Sequence, residues 1–324
     1  AAVVRSAGEG TTLSVASDSV AILGFTLDGS GRRYDRLDAA IHVRGHDVRI
    51  EGVRVRHALF GIVAEESRRV TVTGNDIAGE PALPPGLRGD AIRFWETRES
   101  LVSRNHVAHS RDVVVWYSPG NRIARNLVED GRYGTHFMYS SESVVEDNRY
   151  LRNVVGVFVM YSRNLRLLDN VLAGATSADG MGIGCKESGN LLLRGNRFVK
   201  DRIGLYLDTS PLVAGDSNTC AGNRFTLCQS AIVFHSSEAR NRFVGNQLAD
   251  NQSQVEVEGR GTAMGVTWSG NYFDDYRGYD LDGDGVGDVP YESRSLSEQL
   301  TSSRPELQFF RGAVVLGLVD VASQ

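Results

Sequence analysis

Hydrophobic and polar residues alternate in short runs along most of the chain, and the runs return at a steady interval. "GIVAEES", "AIRFWET", "GTHFMYS", "GVFVMYS", "GMGIGCKES", "GLYLDTS" and "AIVFHSS" each start on a small or apolar residue, and most close on Ser or Thr. An asparagine recurs after short β-rich runs, at Asn75, Asn105, Asn126, Asn148, Asn170, Asn196, Asn223, Asn246 and Asn271. The spacings are 30, 21, 22, 22, 26, 27, 23 and 25. Period-two alternation marks strands with two unlike faces. Short strands at this interval, with no helical stretch between them, predict a solenoid whose coils stack edge to edge. An all-β, single-stranded parallel β-helix of about 22-residue coils fits best. Asn and Gly suit left-handed turn positions, and a column of Asn can hydrogen-bond from coil to coil. Wider gaps mark insertions at turns, the clearest being "AGEPALPPGLRGD" at 78–90, which holds three of the seven prolines.

Aligning the coils separates inside from outside. One inward column reads Ile41, Ile62, Ile92, Val114, Thr135, Val157, Ile183, Leu205, Ile232. Two places on, a second reads Val43, Ala64, Phe94, Trp116, Phe137, Val159, Cys185, Leu207, Phe234. The outward columns are then His42, Val63, Arg93, Val115, His136, Phe158, Gly184, Tyr206, Val233 and Arg44, Glu65, Trp95, Tyr117, Met138, Met160, Lys186, Asp208, His235.

Neighbouring coils lie about 4.8 Å apart and residues i and i+2 about 6.7 Å apart. Met138 and Met160 are therefore expected as stacked neighbours on the outer face, with His136 beside Met138. Trp95 and Tyr117 continue the column, and Val115 and Phe158 flank it. An apolar, sulfur-bearing patch on an outer face has two readings. A loop or the C-terminal tail covers it as a secondary core, or it holds a soft metal. Two thioethers and an imidazole suit Cu(I) and do not suit Mg²⁺ or Ca²⁺. Trp95, Tyr117 and Phe158 also suit a protein-contact patch.

Further along the column stand Lys186, Asp208 and His235, with Tyr206 alongside. These groups suit acid/base chemistry on a sugar chain in an outer groove. The plainer reading is a surface ion-pair ladder. Glu65, Glu66 and Glu96 read either as a carboxylate pair or, more plainly, as solvated surface, and His42, His46, His57, His106 and His109 as surface or turn histidines.

Residues 270–292, "GNYFDDYRGYDLDGDGVGDVPYE", place Asp280, Asp282, Asp284, Gly285 and Asp288 at positions 1, 3, 5, 6 and 9 of a calcium-binding loop. Position 12 is Tyr291, with Glu292 one residue late. Gathered carboxylates repel without a cation, so a structural Ca²⁺ is the expected reading, against a solvated Asp/Gly turn. The division that follows is a β-helix over 1–270, an acidic loop closing it over 271–292, and a short C-terminal cap or partner-docking tail over 293–324. The tail is apolar but carries Arg311 and Asp320, so it is no membrane span.

Composition narrows the function classes. The net charge of −5 and the scattered Lys and Arg argue against nucleic acid. No apolar run approaches the roughly 20 residues of a transmembrane helix. Cys185, Cys220 and Cys228 lack CxxC spacing and a zinc site is not expected; a Cys220–Cys228 bridge and three buried thiols both remain open. The chain begins at "AAVVRSAGEG" without Met or signal peptide and reads as processed or trimmed.

The segments "THFMYSSESVVEDN", "GVFVMYSRNLRLLDN", "AIVFHSSEARNRFVGN" and "GNYFDDYRGYDLDGDGVGDVPYE" resemble the NosD-type proteins of nitrous oxide reductase maturation, from about residue 20 to the tail. The resemblance implies a periplasmic, right-handed parallel β-helix on the outer side of an ABC transporter's membrane subunit. It implies that the protein takes Cu(I) from a copper chaperone lipoprotein and supports metal-centre assembly in the reductase, with no enzymatic activity of its own. It puts the family's His-x-Met-Tyr and Met-Tyr-Ser positions on His136, Met138 and Met160. Where relatives tend to carry a third methionine coil, this chain reads "GMGIGCKES", with Met181 at the strand's start and Lys186 in the outward column. The competing reading is a carbohydrate-active β-helix, a lyase, epimerase or hydrolase, using Tyr206, Asp208, Lys186 and His235.

Overall fold

A computed structural model describes residues 2–237, 239–259, 264–291 and 315. Each coil contributes one strand to each of three parallel sheets, which hold 12, 11 and 11 strands among the described residues. Every strand pairs with its counterpart one coil on, as a single-stranded parallel β-helix requires. Inward side chains of the three sheets meet along the axis, where Ile62, Phe94, Phe137, Val159, Leu205 and Phe234 are fully buried. Residues Ala1–Asp274 and Asp275–Gln324 form two compact units. The described part of the second, 275–291, has no strand among its residues. The tail at 293–324 lies outside the described residues apart from Val315.

The asparagine column forms the expected ladder. Asn126 Nδ2 donates to Asn148 Oδ1 at 2.9 Å and to the Val102 carbonyl at 3.0 Å, while the Asn126 backbone N–H also reaches Asn148 Oδ1 at 2.9 Å. The same links join Asn75 through Asn271. A buried amide has one acceptor and one double donor, and here both ends are satisfied inside the wall. Asn148→Asp is expected to destabilise the protein by roughly 3 kcal/mol, because a carboxylate oxygen would face the Ile123 carbonyl and Asn170 Oδ1, two acceptors. Urea denaturation at pH 7 reads this, and an unchanged midpoint would remove the ladder from the stability argument.

One coil departs from the expected register. Ile92 pairs with Val113, Phe94 with Val115 and Trp95 with Trp116, so Val113 and Val115 face inward while Val114 and Trp116 face outward. The inward placement of Val114 and Trp116 is therefore corrected. The cause is a bulge: Asp112 pairs with Tyr133 but Val114 pairs with His136, so the Tyr133–Met138 strand holds one more residue over the same span. That extra residue is accommodated by Gly134, where a Cβ would lie 2.4 Å from the Gly156 carbonyl and from the Tyr150 ring. Thr135 then also turns inward and shares a hydrogen bond with the buried Tyr150 hydroxyl at 2.9 Å.

Tyr117, expected on the outward strand face, lies past the strand end with φ of 51°. Tyr139 and Tyr161 occupy the same corner one and two coils on, each with φ of 50°. Their rings stack at 5.2 and 5.0 Å. A left-handed non-glycine residue costs about 1–2 kcal/mol, and stacking at about 0.5–1.5 kcal/mol per pair offsets part of it. The serine that ends each Met-Tyr-Ser triplet turns inward: Ser140 N–H donates to Ser162 Oγ at 2.9 Å and Ser118 N–H to Ser140 Oγ at 2.9 Å. The triplet thus assigns one residue to the outer face, one to the stacked corner and one to the inner ladder.

Candidate metal site on the outer face

The strands Asp112–Trp116, Tyr133–Met138, Val155–Met160 and Met181–Lys186 are consecutive neighbours in one sheet. Pairing sets His136 against Phe158 and Met138 against Met160, with Trp116 on the other side of Met138. Met160 folds diagonally back across its strand, and its Sδ lies 3.3 Å from His136 Nε2. At that separation one soft ion can touch both atoms, with Met138 in the adjacent register position.

His136 is only 5% exposed although it faces outward. Rings enclose it: Tyr133 at 5.0 Å and Trp116 at 5.2 Å stand edge-on, and Phe158 lies nearly parallel at 6.0 Å. Trp116 Nε1–H donates to His136 Nδ1 at 3.3 Å, which leaves Nε2 aimed at the thioether. Behind the imidazole the buried Asp112 carboxylate approaches Nδ1 to 3.8 Å. Arg132 holds that carboxylate through Nε at 2.9 Å and lies over the Tyr133 ring at 4.4 Å. Burial opposes Asp112 ionisation, but His136 and Arg132 beside it outweigh burial and hold its pKa below the ordinary carboxylate range. The donor set is neutral and soft, with the carboxylate behind it, which fits Cu(I).

Sequence reading missed several neighbours of this group. Trp116 was hidden by the register error, while Asp112 is the first residue of its strand and Arg132 immediately precedes the next, at strand edges where period-two alternation gives no direction. Met181 is another: a Cβ at Gly184 would lie 2.8 Å from the Phe158 ring and 3.2 Å from Met181 Sδ, so the bare glycine leaves room for both. The 21-residue step from Asn105 to Asn126 was the one available sign of a shortened coil.

The expected contact patch is divided. Trp95 packs on Tyr117 at 5.1 Å and on Trp116 at 6.0 Å, whereas Phe158 belongs to the rings around His136. Arg93 lies over Trp116 at 4.9 Å and Trp95 at 5.3 Å. Val115 does not flank the patch; it is buried inside the coil.

Lys186, Asp208 and His235 follow one another in register, as expected. Lys186 Nζ is 3.9 Å from Asp208, and the Tyr206 and His235 rings are 6.0 Å apart. Burial, then the Asp208 and Glu258 charges, push the Tyr206 phenol up to about 12, which removes it as a base near neutral pH. Glu65 is paired with His42 and Arg44, each at 2.8 Å, so it is an ion-pair partner rather than half of a carboxylate pair. Cys185, Cys220 and Cys228 are free, buried thiols.

In the acidic loop, ligand atoms of Asp280, Asp282 and Asp288 lie within 4.8 Å of one another. Asp284 is not in that group; its Oδ1 accepts the Val286 N–H at 2.7 Å. Asp280 accepts from Gly285 and Gly283, at 2.9 and 2.7 Å, and these N–H groups hold its pKa below the ordinary value. Tyr291 bonds to Asp275 at 3.1 Å, and Glu292 lies outside the described residues.

The sequence model of the family described as "Periplasmic copper-binding protein (NosD)" matches residues 74–278. A protein of Stutzerimonas stutzeri named "Probable ABC transporter binding protein NosD" is 30% identical over 95% of this chain and 73% of its own length. Its namesake in Pseudomonas aeruginosa is 30% identical over 93% of this chain and 73% of its own. Among solved structures, the A-module of the Azotobacter vinelandii mannuronan C-5 epimerase AlgE6 superposes with a TM-score of 0.53 at 14% identity, covering 83% of this chain and 87% of that one. DFA-IIIase from Arthrobacter chlorophenolicus superposes with a TM-score of 0.54 at 15% identity, over 70% of this chain and 65% of that one. At such identity the likeness concerns the fold alone.

Proposed function

Because the chain belongs to the NosD family of periplasmic copper-binding proteins, we propose that it binds Cu(I) at His136, Met138 and Met160 in the periplasm and hands the ion on. The approach of His136 Nε2 to Met160 Sδ at 3.3 Å, inside a ring of aromatic side chains on the outer wall, carries this reading. A nearly enclosed imidazole facing a thioether disfavours hard, water-rich cations and leaves one approach for a soft ion. The protein acts as an accessory rather than as a catalyst. Its proposed partners are an ABC transporter membrane subunit, a copper chaperone lipoprotein that delivers the ion, and nitrous oxide reductase as the assembled enzyme. The name carried by its relatives supports the first of these. Trp95 and Tyr117, beside the site, offer the contact surface.

Cu(I) titration against a competing chromophoric chelator tests the site. Met160→Ala is expected to weaken binding more than Met138→Ala, since the Met160 sulfur already faces His136. Equal, weak binding by wild type and both variants would end the proposal.

A structural Ca²⁺ held by Asp280, Asp282 and Asp288 is a separate proposal, resting on their convergence. Calorimetric melting with Ca²⁺ and with chelator is expected to show a higher transition with the ion. Identical traces would leave the loop a solvated turn.

The second reading, a polysaccharide-active groove, rests on the Lys186–Asp208–His235 column. Turnover of a polyuronate that is abolished by Asp208→Ala would make it the better account.

A further inference from the structure

His136 Nδ1 stands between a donor and an acceptor that cannot both use it. The indole of Trp116 can only donate, and its Nε1–H points at Nδ1 from 3.3 Å. With no metal, that bond fixes the neutral imidazole with its proton on Nε2, directed at the Met160 sulfur. On the other side the Asp112 carboxylate, buried and held by Arg132, can only accept, and it waits at 3.8 Å from the same Nδ1.

A metal on Nε2 requires that nitrogen to be unprotonated, so a neutral imidazole must carry its proton on Nδ1. The geometry points to a two-position device in which Trp116 holds His136 in its empty tautomer and Asp112 holds it in its loaded one. This rests on the proposed copper site. The proton account balances: one proton leaves Nε2, one is taken up at Nδ1, and the imidazole stays neutral. In the loaded state Asp112 accepts the Nδ1–H, and Trp116 Nε1–H loses its acceptor and turns away. Trp116 therefore opposes loading and Asp112 favours it. Such opposition suits cargo that must leave again, because the protein supplies part of the force that expels the ion. Arg132 keeps the carboxylate from following the imidazole. Both residues are positioning residues, since neither is placed to touch the ion.

Two measurements test this, with Ag(I) as an oxidation-resistant d¹⁰ stand-in for Cu(I). Two-bond ¹H–¹⁵N NMR of the full chain, with His136 assigned by comparison with His136→Phe, is expected to show the Nε2–H tautomer without metal and Nδ1–H with Ag(I). In competition titrations, Trp116→Phe is expected to tighten Ag(I) binding several-fold. Asp112→Ala should weaken it by about 10- to 100-fold, the range for loss of a carboxylate behind a metal-bound histidine. A purely structural role would make both substitutions weaken binding. Should Asp112→Ala fail to fold, the wild-type tautomers and the sign of the Trp116→Phe effect still decide. If His136 carries its proton on Nδ1 before metal is added, or if Trp116→Phe weakens binding, the device is wrong while the copper site stands. If wild type binds Ag(I) no better than His136→Phe, the copper site itself falls and the device with it.

Discussion

Replacing His136 by phenylalanine is expected to lower Cu(I) affinity by at least about 100-fold, since losing only a group that hydrogen-bonds a metal-bound histidine costs about 10- to 100-fold. The imidazole is the nitrogen donor of the proposed group, and its Nε2 is the atom that faces the Met160 sulfur. Thioethers are weak, neutral donors, and two of them without the imidazole have no anchor in the wall. Phenylalanine is the informative replacement because the site is already a cage of rings, with Tyr133, Trp116 and Phe158 within 6.0 Å. A phenyl ring refills that cage, so the coil stack keeps its packing while ligation is lost. Alanine would confuse the two effects by opening a cavity. Chelator competition gives the affinity and thermal melting gives the packing. A phenylalanine variant that binds Cu(I) like wild type would exclude His136 as a ligand.

The second large effect concerns Asp201, which is not among the proposed ligands. Its Oδ1 accepts the Ala175 N–H at 2.8 Å, while its Oδ2 is buried without a hydrogen-bond partner among the described residues. Equivalent turns carry asparagine. Asn153 accepts from Gly131 N–H at 2.9 Å and donates to the Val128 carbonyl at 2.9 Å. Asn251 does the same with Cys228 N–H and the Phe225 carbonyl. Asp201 thus occupies an amide's place, and its second oxygen sits where an N–H₂ would donate. Burial raises its pKa to about 7, against the opposing pull of backbone N–H groups at Ala175, Gly174 and Val199.

The sign follows from linkage. The folded protein holds a proton on Asp201 that the unfolded chain, with a carboxyl near 3.8, gives up earlier. The contribution of Asp201 to stability is therefore complete below about pH 4 and is lost as pH rises towards 7, by roughly 4 kcal/mol at most. Asp201→Asn is expected to remove this contribution to the slope and to raise the melting temperature at pH 8. Melting curves at pH 5 and pH 8 for both proteins read it. A variant with the same pH dependence as wild type would show that the buried oxygen is not the cause.

These two residues mark how far reading along the chain reaches. The coil period, the asparagine ladder and the pairing of Met138 with Met160 all follow from spacing, because stacked coils of equal length put like positions in contact. The same logic placed His136 beside Met138 on one face, and Lys186, Asp208 and His235 in one column. It failed at Val114 and Trp116, where one coil is a residue shorter and the bulge at Gly134 and Thr135 absorbs the difference.

Alternation along a strand is local, fixed by the pleat, and so it is written in the order of residues. The approach of Met160 to His136, the place of Asp112 beside the imidazole and the missing amide proton at Asp201 depend on neighbours 24 to 26 residues away. Those contacts exist only once the coils are stacked, since the sheet's hydrogen bonds fix which side chains share a space. The chain order supplied a histidine and two thioethers on one wall. Packing between coils made a buried imidazole with a sulfur on one nitrogen and a contested hydrogen bond on the other.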